Sequence, residues 1–449
     1  MMKVADAIKK THAWLTEHSD QTKNILDDIY RRQTELDIRY SNRTIPTFLR
    51  PCFISNAQRQ EICNSSQILL GCAERFIEHY VKDEAARAAI GLTRQEEKFA
   101  LMDSGLQRNV VVARPDSFMF GDTLKYLEFN SDSPAGVAWT DLHEQVFLEL
   151  PHMRELSREQ PLGTSSCQQL MMEAFLAAYK ESGLSAQPAL AIIDWREVAT
   201  GREFYVIRDY YKRHGIEAVV ADPREMELRG TTLYAAGTPV SMVYRRVIIQ
   251  ELLEKKDEKG ISDFLKAYQQ KLVCVVNPFS AKISGSKAFM AVLSDPQYEK
   301  YFNNQQNEIK RTYIPWTRVL KESQAEYRDR QTELFEIVRT ERERMVIKPT
   351  NGYGGKGVVI GRETNQSEWD SMIEQAANKP GAMTAQEYVQ IPEEEFPFLE
   401  PEFHFEKLKV NLNPYLFGGK YAGSFVRLSK SSIINVTLGG GMVPIFVLG

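Results

Sequence analysis

A chain of 449 residues with 43% hydrophobic and 26% charged side chains is long enough for two or three domains with cores of their own. Its net charge of −4 argues against nucleic-acid or acidic-membrane partners. The opening stretch MMKVADAIKKTHAWLTEHSD has no apolar h-region and no run approaches a bilayer span, so neither a signal peptide nor a membrane segment is expected and a cytoplasmic setting fits. The five cysteines, Cys52, Cys63, Cys72, Cys167 and Cys274, form no CxxC pair, which supports neither a zinc site nor a disulfide framework. The seven histidines are dispersed, and His143 and His152 read as surface or core side chains rather than metal ligands. Oligomeric state has no signature in the sequence.

Residues 1–105 read as a helical N-terminal region, with charged–apolar stretches such as QTKNILDDIYRRQTELDIRY. RNVVVARPDSF switches to strand character, and GD marks a turn before a second strand, TLKYLEFN. SCQQLMMEAFLAAYKES is a helix that GL closes. ALAIIDW, GREFYVIRDYYKRHG and IEAVVAD then alternate strand, helix, strand, which predicts a parallel α/β layer over 185–250. That unit has no GxGxxG turn, so it is not read as a dinucleotide site. TTLYAAGTPVSMVYRRV is expected to form a hairpin, KLVCVVNP a strand, GSKAFMAVLSD a helix, and residues 318–344 one highly charged, solvated helix. The C-terminal region, from MVIKPTNGYGGKGVVIG to the end, is strand-rich with glycines at turns.

Two stretches carry chemistry. In MVIKPTNGYGGKGVVIG, two strands flank a loop holding Gly352, Gly354, Gly355 and Gly357, with Lys348 on the incoming strand and Lys356 in the loop. Glycines let backbone N–H groups approach an anion closely, so the loop reads as a hairpin folding over phosphates, against the plainer reading of a ligand-free mobile hairpin. GKGVVIG is expected to run on as a strand, so this is not a Walker loop. The second stretch is VARPDSFMFGDTLKYLEFN. Alternation puts Glu128 and Asn130 on one strand face, with Leu127 and Phe129 on the other, and Arg114 and Asp116 on one face of the preceding strand. A plain two-residue turn would oppose Asp116 with Leu127. An odd-numbered loop, or a bulge beside the turn, opposes Asp116 with Glu128 and Arg114 with Asn130, and that arrangement is predicted. It gathers two carboxylates and an amide into a hard-oxygen site suited to Mg²⁺. The plainer reading is a solvent-facing hairpin whose Arg–Asp pair is worth little.

Together these stretches resemble the circularly permuted ATP-grasp group that includes the synthetase part of glutathionylspermidine synthetase. The likeness spans roughly residues 100–449. In ordinary ATP-grasp enzymes the lysines, glycine loop and a QEYV-type hinge precede the Asp and the E-x-N pair; here the Asp116 and Glu128/Asn130 set comes first, and SGSKAFMAVL, VIKP, the glycine loop, QEYV and FVRLSKSSIINVTLGGG follow. The resemblance implies a permuted ATP-grasp fold of α+β or α/β class: a helical region at 1–105, the first ATP-grasp part at 106–170, a pre-ATP-grasp parallel α/β domain at 171–270 and the second ATP-grasp part at 271–449. It implies Mg²⁺ on Asp116, Glu128 and Asn130, and a role for Arg114 at the acyl phosphate. ATP would be met by Lys287 and Lys348, by Gly352, Gly354, Gly355, Lys356 and Gly357, and by Gln386 and Glu387, with Arg427 and Asn435 facing the triphosphate or acceptor pocket. Lys282 is an alternative to Lys287.

The implied reaction is ligation: ATP activates a small-molecule carboxylate as an acyl phosphate, and an amine, with peptides and polyamines among the candidates, captures it. The alternatives are an ATP-binding regulatory or scaffold protein and an ATP-grasp kinase. The chain has neither the length nor a Cys/His set for an amidase half, and it reads SDSPAG after Asn130, so glutathionylspermidine chemistry itself is not assumed. No general base for the amine can be read from the sequence.

Overall fold

A computed structural model describes every residue except Met1, Tyr353, Glu400, Pro401, Thr437 and Leu438. Parts of two expected features, the glycine loop at Tyr353 and the C-terminal turn at Thr437 and Leu438, therefore lie outside the described residues. The strands that matter for the site are, in chain order, β1 (Val112–Phe120), β2 (Thr123–Asn130), β3 (Ala189–Ile193), β4 (Glu217–Ala221), β5 (Met242–Arg245), β6 (Cys274–Val276), β7 (Thr317–Val319), β8 (Met345–Pro349), β9 (Val359–Ile360), β10 (Met383–Glu387), β11 (Glu393–Leu399), β12 (Phe403–Phe417), β13 (Lys420–Ser429) and β14 (Gly441–Val443).

They form three sheets around one cavity. The first is antiparallel, ordered β14-β13-β12-β1-β2. Its long strand β12 spends Phe403–Lys409 on β11 and Leu412–Phe417 on β1, which is how a C-terminal strand comes to lie beside the early hairpin. The second is the expected parallel layer, ordered β6-β5-β3-β4, with the helix Gly201–Arg213 crossing from β3 to β4. Apart from Glu217 at the start of β4 and Arg245 at the end of β5, its strands carry no charged side chain, as suits a sheet covered on both faces. The third is antiparallel, ordered β7-β10-β8-β9, and carries Lys348.

Residues 1–105 supply the helices Val4–Glu17, Thr22–Glu35, Asn56–Lys82, Glu84–Ile90 and Arg94–Ala100, with short strands between them. The longest opens on a capping box in which Ser55 and Gln58 exchange side-chain-to-backbone hydrogen bonds. Just before it, Cys52–Ser55 pairs in parallel with Ile445–Leu448, tying the two ends of the chain together. One buried side chain stitches the first two sheets: Asn277, after β6, accepts from the N–H groups of Val111 and Val112 and donates to the carbonyls of Val112 and Ser131.

Three expectations need correction. Residues 318–344 are not one helix. Buried Ala325 and Tyr327 alternate with exposed Gln324 and Glu326 in a hairpin whose turn residues Arg328 and Asp329 have φ of 53° and 61°, and only Leu334–Thr340 is α-helical. Charge density masked a period of two. The second half of TTLYAAGTPVSMVYRRV also leaves its hairpin. Thr232–Ala235 and Thr238–Val240 pair, but fully buried Met242–Arg245 joins the parallel sheet as β5. After the glycine loop, only Val359–Ile360 is strand.

Candidate active site

The site is built on the β1–β2 hairpin. A two-residue turn pairs Phe120 with Thr123, and the register holds as far as Ser117 opposite Tyr126. There a bulge at Leu127 shifts it by one, so Asp116 faces Glu128 and Arg114 faces Asn130, the predicted pairing. The bulge lies four pairs from the turn rather than beside it. It also moves Leu127 to the cavity wall, while Phe129 alone stays in the core.

Charges of both signs meet over this hairpin. Asn130 Nδ2 donates to Asp116 Oδ1 (3.0 Å), Glu128 Oε1 (3.2 Å) and the Arg114 carbonyl (3.0 Å). Arg427, on β13, reaches across β12, where Asn411 Oδ1 accepts from its Nε at 2.9 Å, and donates to Asp116 Oδ2. Arg114 Nε lies 3.4 Å from Asp116 Oδ1, and its Nη1 donates to the Ala135 carbonyl at 2.7 Å. Asp116 therefore sits between two guanidinium groups. Glu128 faces Lys287, whose Nζ is 3.4 Å from Oε2 and also donates to the Gly352 carbonyl at 2.6 Å. Lys348 Nζ donates to Gln386 Oε1 at 2.7 Å.

The electrostatics follow from these neighbours. Burial works to raise the Glu128 pKa, but Lys287 and then Lys348 overturn it and hold the group at about 2. Burial lowers Lys348 to about 8, with Glu128 opposing and Lys287 assisting. Burial likewise opposes the charge on Arg114, yet Asp116 more than compensates and the guanidinium pKa lies above its usual value.

A cavity of about 600 Å³ is lined by Arg114, Asp116, Glu128, Asn130, Lys287, Lys348, Gly352, Gly354, Gly355, Lys356, Gln386, Glu387, Arg427 and Asn435. Of the residues singled out in the sequence, Gly357 and Lys282 are not in its wall. A Cβ on Gly357 would come within 2.9 Å of Pro349 Cγ, so this glycine serves the close packing of the loop on β8. Gly354, Gly355 and Gly357 have φ of 72°, 74° and 72°, the left-handed region that glycine tolerates. Lys282 is buried at 3.8 Å from both Glu96 and Asp132, so of the two candidate lysines Lys287 is the one facing the cavity. Gln386 is turned inward, donating to Thr317 Oγ1 and the Leu127 carbonyl, while Glu387 accepts from the Tyr327 hydroxyl.

The far wall comes from residues that sequence reasoning missed: Ser133, Trp139, Asp194, Trp195, Arg246 and Glu251. Asp194 and Arg246 follow β3 and β5, at the carboxyl ends of parallel strands where open α/β sheets place ligands. Asn411 was missed too, although Asn411 and Asn413 show the same two-residue spacing on one strand face as Glu128 and Asn130. His143 and His152 are buried core side chains whose pKa values burial lowers to about 3 and about 4.

Among the described residues no three His, Cys, Asp or Glu side chains gather as a metal cluster. The hairpin offers two carboxylates and one amide, a hard-oxygen set that leaves positions open, which suits Mg²⁺ carried with phosphates rather than a closed transition-metal site. Arg114, Arg427, Lys287, Lys348 and Lys356 around two carboxylates make this end of the cavity cationic, while Val346, Val358, Ile360 and Ile391 give it an apolar stretch. No helix among the described residues is long and apolar enough to cross a membrane.

Residues 215–429 match the family model described as circularly permuted ATP-grasp type 2. The match contains Lys287, Lys348, the glycine loop, Gln386 and Arg427, and it does not extend to the Asp116–Glu128 hairpin. No curated protein matches the chain. Among solved structures, the chain is similar to a glutathione synthetase-like effector from Globodera pallida in its apo form, with a TM-score of 0.61 and 12% identity over 96% of this chain and 97% of that one. At that identity the likeness is one of fold. A candidate gamma-glutamylcysteine synthetase from Methylobacillus flagellatus aligns with a TM-score of 0.43 and 12% identity over 89% of this chain and 90% of that one. The protein is thus a mixed α/β chain in which residues 215–429 match a circularly permuted ATP-grasp domain.

Proposed function

We propose that the chain is an ATP- and Mg²⁺-dependent ligase that activates a small-molecule carboxylate as an acyl phosphate and joins it to an amine. The observation that carries this reading is the opposition of Asp116 and Glu128 beneath Lys287, Lys348 and Arg427 at the cationic end of one cavity. The ATP-grasp match over 215–429 supports it, because such domains typically serve ligases of this kind. Residues 106–170 and 271–449 would form the ATP-grasp unit, 171–270 the α/β unit beside it and 1–105 a helical cover.

Asp116, Glu128 and Asn130 would hold Mg²⁺, which when bound offsets the charge gathering on phosphate oxygens. For this the Asn130 carboxamide turns over to present Oδ1, and Arg427 gives up Asp116 for the phosphates. Lys287 and Lys348 would contact those phosphates, with Gly352, Gly354, Gly355, Lys356 and Gly357 closing over them and excluding water. Gln386 and Glu387 would border the adenine and ribose through backbone and side chain. Arg114 would steady the acyl phosphate, and Asn435 would meet the triphosphate or acceptor from the opposite loop.

The test supplies ATP, Mg²⁺ and a pool of amino acids, short peptides and diamines, then measures ADP and product mass, with Glu128→Ala as control. An amide of matching mass together with ADP is the expected outcome. A phosphorylated product would instead identify a kinase, and ATP binding without ADP release from any pool would identify a non-catalytic nucleotide-binding module.

A further inference from the structure

Five carboxylates line the cavity, and they differ in what already occupies them. Asp116 is held by Arg114, Arg427 and Asn130. Glu128 is held by Lys287 and Asn130. Glu251 accepts from the Trp195 indole N–H at 2.6 Å, and Glu387 accepts from the Tyr327 hydroxyl with Arg328 at 3.7 Å. Asp194 is the exception in that, among the described residues, no side-chain donor or cation is bonded to it. Its Oδ1 accepts from the Trp195 backbone N–H at 2.9 Å, and among the described residues no donor is bonded to Oδ2. It stands just past β3, on the α/β side of the cavity, 9% exposed, with the Trp195 and Trp139 side chains in the same wall.

We infer that Asp194 receives the incoming amine as its ammonium ion and takes the proton that makes it a nucleophile, an assignment that rests on the ligase reading above. The class of acceptor is accordingly a primary amine that arrives protonated. The ammonium gives one proton to Asp194 Oδ2. The freed lone pair attacks the acyl carbon, and the carbon–oxygen bond to phosphate breaks with its electron pair leaving on phosphate. The second nitrogen proton passes to that phosphate, yielding amide and hydrogen phosphate, and Asp194 returns its proton to solvent.

The surroundings suit the task. Burial pushes the Asp194 carboxyl up to about 6; Arg246 and Arg245, at the end of β5, pull it down, and Glu251, on the helix Ile249–Glu254, pushes it up. A carboxylate poised there can both hold and accept a proton near neutral pH. Glu128, held at about 2, cannot.

Hydroxylamine provides the test, because it is uncharged near neutral pH and captures acyl phosphates without surrendering an ammonium proton. The enzyme is given ATP, Mg²⁺ and the amino acid, peptide and diamine pool, with and without hydroxylamine, and the amide-to-hydroxamate ratio is read by mass. Asp194→Asn is expected to lower that ratio by about 100-fold. With the concentration of uncharged hydroxylamine held constant, because it takes up a proton in the same range, the wild-type ratio should fall as pH drops through about 6 and level off above it, and this levelling should be lost in Asp194→Asn. Asp194→Glu should recover part of the ratio with a displaced pH profile, which guards against a misfolded Asn variant. An unchanged ratio in Asp194→Asn overturns the assignment, as does equal loss of both products. Absence of hydroxamate and ADP in the wild type overturns the ligase reading itself, and the assignment with it.

Discussion

Glu128 and Asp194 line the same cavity, and burial pushes both toward the neutral form, yet their carboxyl groups end at about 2 and about 6. The difference lies in the company each keeps. Glu128 faces Lys287 at the start of a helix and Lys348 and Arg427 on strands of two sheets, and these outweigh its desolvation. Asp194 has Arg246 and Arg245 near it, but Glu251 opposes them and burial prevails. At one end of the cavity the carboxylate therefore stays ionised among cations, suited to a polyanion, and at the other the carboxylate can exchange a proton in the working pH range.

The strongest way to break this contrast is to remove the anion that holds the cationic end together. Glu128→Gln leaves Lys287 and Lys348 facing each other without their shared counter-charge. ADP release is expected to fall by about 100- to 1,000-fold, with Mn²⁺ affinity, read by electron paramagnetic resonance, falling in parallel. Stability should respond in a defined window. Because the folded pKa lies below its usual 4.5, the Glu128 contribution is complete above about 4.5 and lost as pH falls through about 2. The Tm gap between wild type and Glu128→Gln should be full near neutral pH and close across that window. A Tm insensitive to this substitution would mean that the lysines do not depend on Glu128.

Lys348 gives the next largest effect. Its ammonium is charged below about 8, so ATP affinity measured by calorimetry should weaken as pH rises through that value. Lys348→Ala should lose about 100-fold in ADP release and show no such pH dependence. A wild-type affinity that is flat through this range would remove Lys348 from phosphate binding.

The cationic end was legible in the sequence because its parts are local. Residues at two-residue spacing on β1 and β2 have one register that brings their polar faces together, and a bulge is the physical device that provides it. The glycine loop and Lys348 are likewise contiguous. The α/β end was not legible. Asp194 follows an apolar strand as an ordinary polar residue would, and only the parallel order β6-β5-β3-β4 brings it beside Arg246, in the wall of the cavity that residues from β1 also line. Residues 318–344 failed for another reason: dense charge reads as a solvated helix face, whereas buried Ala325 and Tyr327 show the alternation that decided the matter.

Between the two ends lies Gly136, at φ +94°, where a Cβ would come within 2.7 Å of the Tyr415 hydroxyl and 3.0 Å of Phe425. The preceding Ala135 carbonyl accepts from Arg114, so the backbone here spaces the hairpin from the helix Val137–Leu148. Gly136→Ala is expected to cost roughly 2–4 kcal/mol in chemical denaturation, from backbone strain and overpacking together. A cost below about 0.5 kcal/mol, typical of surface substitutions, would show that the segment yields freely and does not set the spacing.

The smallest effect has the opposite sign. Asp194 has a folded pKa raised from 3.8 to about 6, so between those values the native state binds more protons than the unfolded chain, and stability falls as pH rises. Above about 6 the full cost of an ionised, buried carboxylate remains. Asparagine cannot ionise, and its Oδ1 can still accept from the Trp195 N–H. Asp194→Asn should therefore be more stable than wild type near neutral pH, by roughly 1–3 kcal/mol, with the gain disappearing as pH falls below about 4. Glu128→Gln and Asp194→Asn, each a neutral amide replacing a carboxylate in one cavity, should move Tm in opposite directions in the same buffer. If both lower it, Asp194 is a structural partner of Arg246, and the proton-exchanging end of the cavity loses its physical basis.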